Sequence, residues 1–287
     1  MRLGLIAAAL ALAWSGAAWG QSSITLDAQH GNPIIEATIN GRAVRFEVDL
    51  RMGDYIAVSN AASERLRLRR VPFVGVRVGI DGSDATIGGR IARPRIEFEG
   101  EASRSFAGIF PLPVTSRGDG LIGPGALPYD VVTVNLGAEQ PGARDIVFRL
   151  TDPDDWRGAA NVGGHQIEVL FNTGAQETVF NRPATRQFDI DGAIPASGAL
   201  AEAPLILGLR TMMQPVTTSL TVEGLALAPA MARTNAPLLG ADEEADIVVT
   251  AGGDPPPPSV ALGRAALARC AYIRVDRRAR TLTLRCA

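Results

Sequence analysis

The chain has 287 residues, 30 acidic and 28 basic, two Cys, two His and a formal net charge of −2; every basic residue is Arg. Without Lys there is no Schiff-base, pyridoxal or P-loop-lysine chemistry, and His30 and His165 alone cannot build a three-histidine zinc centre. Carboxylates, hydroxyls and Arg remain for chemistry, no cofactor or metal constellation is read, and the charge balance points to no nucleic-acid partner.

Residues 1–20 read as a signal peptide: Arg2, an apolar run from Leu3 to Trp14, then Ala18-Trp19-Gly20 before Gln21. The run is short for a membrane span, and an uncleaved anchor is the alternative. The mature protein is expected to be periplasmic or secreted, monomeric and free of membrane once the signal is removed. Short β-rich segments broken by Gly and Pro then fill the chain, which predicts an all-β fold. Ile34 to Ile39 and Val44 to Asp49 flank Asn40-Gly41, a strong hairpin signal. Ser59, with Ala62 and Leu66 following, suits a helix N-cap. The run Arg65 to Arg70 alternates Arg with Leu and reads as a solvated amphipathic face rather than a nucleic-acid patch. Val76 to Ile91 reads as a hairpin, and Leu121-Ile122-Gly123 leads through Leu127 into the strand Val131 to Val134.

The second half repeats this order. Gly163-Gly164 precedes Ile167 to Asn172, and turn to polar residue is nine positions in both halves, Asn40 to Asp49 and Gly163 to Asn172. Asn181 precedes Ala184 and Phe188 at the intervals seen from Ser59 to Ala62 and Leu66. Ala261-Leu262-Gly263 leads through Leu267 into Ile273 to Val275. Cys270 and Cys286 each lie eight residues from Arg278 and should face each other across a terminal hairpin turning through Arg277 to Ala279. A disulfide is expected, with two free thiols as the alternative.

Phe171-Asn172-Thr173-Gly174-Ala175 before Thr178-Val179-Phe180 resembles the active-site loop of aspartic peptidases. Leu121-Ile122-Gly123 and Ala261-Leu262-Gly263 resemble that family's strand packing beside the loop. The resemblance, to the retropepsin-like branch carried twice as in pepsin-like enzymes, spans about Ile24 to Arg285. It implies a bilobal pepsin-like fold of two β-barrel-like lobes with short helices, an N-terminal lobe at 21–140 and a C-terminal lobe at 141–287. It also implies a catalytic pair at Asp49 and Asn172, supporting loop residues Leu50, Arg51, Thr173 and Gly174, packing glycines Gly123 and Gly263, and Val76 to Ile91 as a flap.

The chain departs from the family at both loops. Leu50 stands where a Thr hydroxyl helps lock the loops together, and Arg51 stands where Gly lets an amide approach the carboxylate. Asn172 replaces the second carboxylate; an amide still hydrogen-bonds but cannot share the proton. Arg51 should favour ionised Asp49. The resemblance therefore implies impaired proteolysis, with the interlobe cleft binding an extended peptide or protein segment. The alternative is an active aspartic endopeptidase using Asp49, with Asp54 or Glu177 as substitute carboxylate.

Overall fold

A computed structural model of the chain describes residues 22–79, 86–150, 152–239 and 256–287. The leader at 1–20 and the centre of the Val76–Ile91 hairpin lie outside the described residues. The fold is mostly strand. The first half runs β1 (Ser23–Asp27), β2 (Ile34–Ile39), β3 (Arg42–Val48), β4 (Ile56–Ser59), helix α1 (Asn60–Arg65), β5 (Arg70–Gly79), β6 (Thr86–Ala92), β7 (Arg95–Phe98), β8 (Glu101–Arg104), β9 (Ala107–Phe110), β10 (Gly120–Ile122) and β11 (Val131–Asn135). The second runs β12 (Arg144–Arg149), β13 (Gly158–Val162), β14 (His165–Phe171), β15 (Thr178–Phe180), α2 (Arg182–Ile190), β16 (Ala201–Pro204), β17 (Arg210–Val216), β18 (Thr221–Val222), β19 (Leu225–Ala226), β20 (Ala230–Leu239), β21 (Ser259–Leu262), α3 (Arg264–Leu267), β22 (Cys270–Asp276) and β23 (Thr281–Cys286).

Local chemistry explains the repeated parts. Asn40 (φ 53°) and Gly41 (φ 70°) are both left-handed, as are Gly163 (φ 55°) and Gly164 (φ 88°), and this double left-handed turn matches the twist of the strands it joins. Ser59 accepts from the Ala62 amide and Asn181 from the Ala184 amide, satisfying first-turn donors of α1 and α2. Leu66 and Phe188, seven positions beyond each cap, are fully buried.

The repeat extends to topology. The nine-stranded sheet is ordered β5-β6-β9-β4-β10-β3-β2-β7-β8 and the seven-stranded sheet β16-β17-β20-β15-β21-β14-β13 reversed, so seven strands correspond one to one. In each, a short strand lies parallel to the strand that leads into Asp49 or Asn172 and antiparallel to the strand after it: β10 between β3 and β4, β21 between β14 and β15. A third sheet, β1-β11-β22-β23-β12, joins the halves through antiparallel β11 and β22. Val132, Val134, Ile273, Val275, Leu282 and Leu284 are buried on it, in one apolar core continuous with both halves. Each such side chain contributes about 1.5–3 kcal/mol by leaving water.

Cys270 and Cys286 form a disulfide. They face each other as expected, but for a different reason. The ladder pairs Asp276 with Thr281 and Tyr272 with Arg285, a register that would set Cys270 opposite Ala287. A bulge between Cys270 and Tyr272 absorbs one residue and restores Cys270 to Cys286. No helix among the described residues is long and apolar enough to cross a membrane.

Candidate functional site

The corresponding strands β3 and β14 deliver Asp49 and Asn172 from their ends, and the two loops match bond for bond. The Asp49 amide donates to Ile122 O at 3.0 Å and the Asn172 amide to Leu262 O at 2.9 Å. Each loop turns tightly, with Met52 N donating to Asp49 O and Ala175 N to Asn172 O. Each polar side chain accepts from the amide two residues on: Arg51 N to Asp49 Oδ1 at 3.0 Å, Gly174 N to Asn172 Oδ1 at 3.2 Å. Gly123 and Gly263 back these loops. A Cβ on Gly123 would lie 2.0 Å from Gly53 O, and one on Gly263 2.2 Å from Glu177 O, so only glycine permits the approach.

Asp49 and Asn172, both buried, line one cavity of about 290 Å³ with Asn32, Glu47, Arg51 and Leu207. The Arg51 guanidinium closes on the carboxylate in fork geometry, Nε to Oδ1 at 2.9 Å and Nη2 to Oδ2 at 2.7 Å. Burial pushes the Asp49 carboxyl up, but the charge and hydrogen bonds of Arg51 outweigh it and hold it below its ordinary value. Arg51 in turn is held above its ordinary value: burial lowers it, and Asp49 and then Glu47 more than compensate. Asp49 is thus a buried, ionised acceptor with both oxygens engaged. Asn172 offers an amide, so the pair has no proton to share.

One loop keeps a hydroxyl that joins the halves. Thr173 Oγ1 donates to Asn32 Oδ1 at 2.8 Å, both buried, and Asn32 Nδ2 donates to Glu47 Oε1 at 3.0 Å. Leu50, at the matching place in the first loop, is buried in the apolar core. A Cβ on Gly174 would lie 2.8 Å from Asn32 Nδ2, so this glycine also allows the close contact.

Glu47 is the carboxylate that sequence reasoning missed. It lies on β3 two residues before Asp49, which follows the strand's end, and the alternation of strand side chains was the signal that could have found it. It accepts from Asn32, from the Thr115 hydroxyl and, at 3.4 Å, from Arg117 Nη1. Asp54 and Glu177 do not line this cavity; Asp54 is exposed on a neighbouring one of about 650 Å³ that shares Arg51 and Leu207.

Both cavities are partly roofed. Val76 and Val78 of β5 line the larger cavity, on the described legs of the Val76–Ile91 hairpin. The turn between β16 and β17, which sequence reasoning also missed, reaches across from the second half. Leu207 and Leu209 pack with Phe110, Val114 and Leu121 of the first, and a Cβ on Gly208 would lie 2.7 Å from Pro113 O. β16 and β17 correspond in the strand order to β5 and β6, so each half contributes the same hairpin to the roof. No family model and no curated protein matches the chain.

Proposed function

We propose that the chain is an exported, monomeric protein of bilobal aspartic-peptidase-like architecture, lobes at 21–140 and 141–287, whose paired-carboxylate chemistry is lost and whose interlobe cleft binds an extended peptide or protein segment. The corresponding strand orders, and the two loops meeting at one cavity, support this reading. So does the disulfide, which suits an oxidising compartment.

The observation that carries it is the fork of Arg51 on Asp49 opposite Asn172. Peptide hydrolysis by this family's route needs two carboxylates that hold one proton between them and activate water. Here one partner is an amide, and the remaining carboxylate is held ionised by a guanidinium that occupies both oxygens. Binding survives such a loss, because an extended segment can be held by main-chain hydrogen bonds and side-chain pockets.

The test is cleavage of an unstructured protein from acid to neutral pH by the wild type, Asn172→Asp and Arg51→Gly/Asn172→Asp. The wild type is expected to be inactive, and the double variant to gain activity that peaks in acid. Wild-type cleavage abolished by Asp49→Ala would overturn the reading in favour of an active aspartic endopeptidase. Glu47, a second buried carboxylate in the same cavity, is the observation that favours that alternative. It predicts that Glu47→Gln abolishes cleavage as fully as Asp49→Ala.

A further inference from the structure

A basin of about 800 Å³ on the first half is lined by Arg42, Arg67, Arg69, Arg93, Arg95 and Arg104. They come from the β2–β3 turn, the stretch after α1, the β6–β7 junction and the end of β8. Structure holds them there: Arg67 follows α1 in a left-handed conformation (φ 53°), and Asn40 Nδ2 donates to Leu66 O at 3.1 Å, fixing the turn to the helix end. Among the described residues Glu97 is the one carboxylate that ion-pairs with any of the six, at 3.3 Å from Arg95. Six like charges gathered from separate segments around a single ion-paired carboxylate repel one another in the free protein, and an anionic surface relieves that repulsion.

A second feature sits beside the basin. The β5–β6 ladder passes from Arg70 opposite Ala92 directly to Gly75 opposite Arg90, so residues 71–74 bulge from the sheet's edge strand. Phe73 on this bulge is fully exposed, with φ 61°, and Val74 is also exposed. Phe73 is four residues from Arg69, within about 14 Å along the chain. Phe106, half-exposed, lies under the Arg93 guanidinium at 5.2 Å from its ring centre. Apolar tips with Arg around them suit the boundary between headgroups and acyl chains, where aromatics insert and guanidinium groups meet phosphate. A soluble phosphate ligand accounts for the Arg basin but leaves Phe73 without a role.

We propose that this edge of the first half docks on an anionic phospholipid surface, Phe73 entering the interface and the Arg basin meeting the headgroup phosphates. The surface shares no lining residue with the Asp49 cavity and is independent of the proposed peptide cleft. It departs from the sequence expectations of a membrane-free mature protein and of a merely solvated face at Arg65 to Arg70, and the test below decides between them.

The test is flotation of the protein, purified after secretion, with vesicles of phosphatidylcholine alone or mixed with phosphatidylglycerol. Binding is expected only with phosphatidylglycerol and should weaken as salt rises from about 50 to 500 mM, because the Debye length shrinks. Phe73→Ser is expected to weaken binding about fivefold or more while leaving the thermal midpoint unchanged. Arg67→Gln/Arg69→Gln/Arg93→Gln should lower it by about fivefold per Arg removed. No preference for phosphatidylglycerol overturns the proposal. So does preference that survives Phe73→Ser undiminished, which would mark a phosphate site with no lipid insertion. Should the triple variant fail to fold, Phe73→Ser still decides, since its side chain is fully exposed.

Discussion

Arg51 reaches back two residues to occupy both oxygens of Asp49, so deleting Arg51 strands a buried carboxylate. Arg51→Met is expected to lower unfolding free energy by about 3–5 kcal/mol, and Asp49→Asn/Arg51→Met to recover most of it, read from urea midpoints. The pH dependence follows from the depressed Asp49 carboxyl. A carboxyl lower in the folded than in the unfolded chain contributes stability that is complete above its ordinary value of 3.8 and is lost as pH falls toward the folded value. Asp54 acts oppositely: partial desolvation at the rim of its cavity, then the charges of Asp154 and Asp152, hold it above its ordinary value, so its contribution is present in acid and lost as pH rises. The acid loss assigned to Asp49 should disappear in Asp49→Asn, measured as the difference in stability between about pH 5 and pH 3. Asp49, Arg51 and Asn172 were legible because their spacing from the turns could be counted. Glu47 was not, because the partners that make it a buried network residue, Asn32, Thr115 and Arg117, stand 15 to 70 positions away.

At the scale of elements, the two helix caps separate local from tertiary contributions. Among the described residues the Ser59 side chain accepts from Ala62 alone, and Ser59→Ala should cost about 1 kcal/mol. Asn181 caps α2 and also accepts from Ser259 N at 2.9 Å and donates to Pro257 O at 2.7 Å, tying the helix to the entry of β21. Asn181→Ala should therefore cost roughly twice as much, by chemical denaturation. The β16–β17 turn is the element whose loosening should show dynamics. Leu207→Ser removes an apolar side chain worth about 1.5–3 kcal/mol, so amides of 205–209 should exchange at least tenfold faster with β14 unchanged. Caps and double left-handed turns were readable because they are made within a few residues. The roofing turn was not: nothing local to Leu207 and Leu209 signals that they pack into a cluster of the first half.

For the whole molecule, seven corresponding strands in two sheets show that the repeat counted along the chain is a repeat of pairing, not only of spacing. What counting could not supply was the sheet between the halves, because β11 meets β22 some 140 residues later with no local sign of either partner. The disulfide closes a span of 16 residues within that sheet. Reduction, or Cys270→Ser/Cys286→Ser, should lower unfolding free energy by about 3 kcal/mol, seen as a shift in urea midpoint. The same sheet sets an order of assembly. Every strand of the nine-stranded sheet lies between residues 34 and 122, so that sheet can complete itself as the chain emerges. β12, by contrast, has β23 as its only ladder partner among the described residues, and β23 follows every strand of both large sheets. Its edge stays unpaired, and open to wrong partners, for more than 130 residues of synthesis. The order of pairing along the chain therefore makes the hairpin β22–β23 the expected last addition to the third sheet, after the nine-stranded sheet has all its strands.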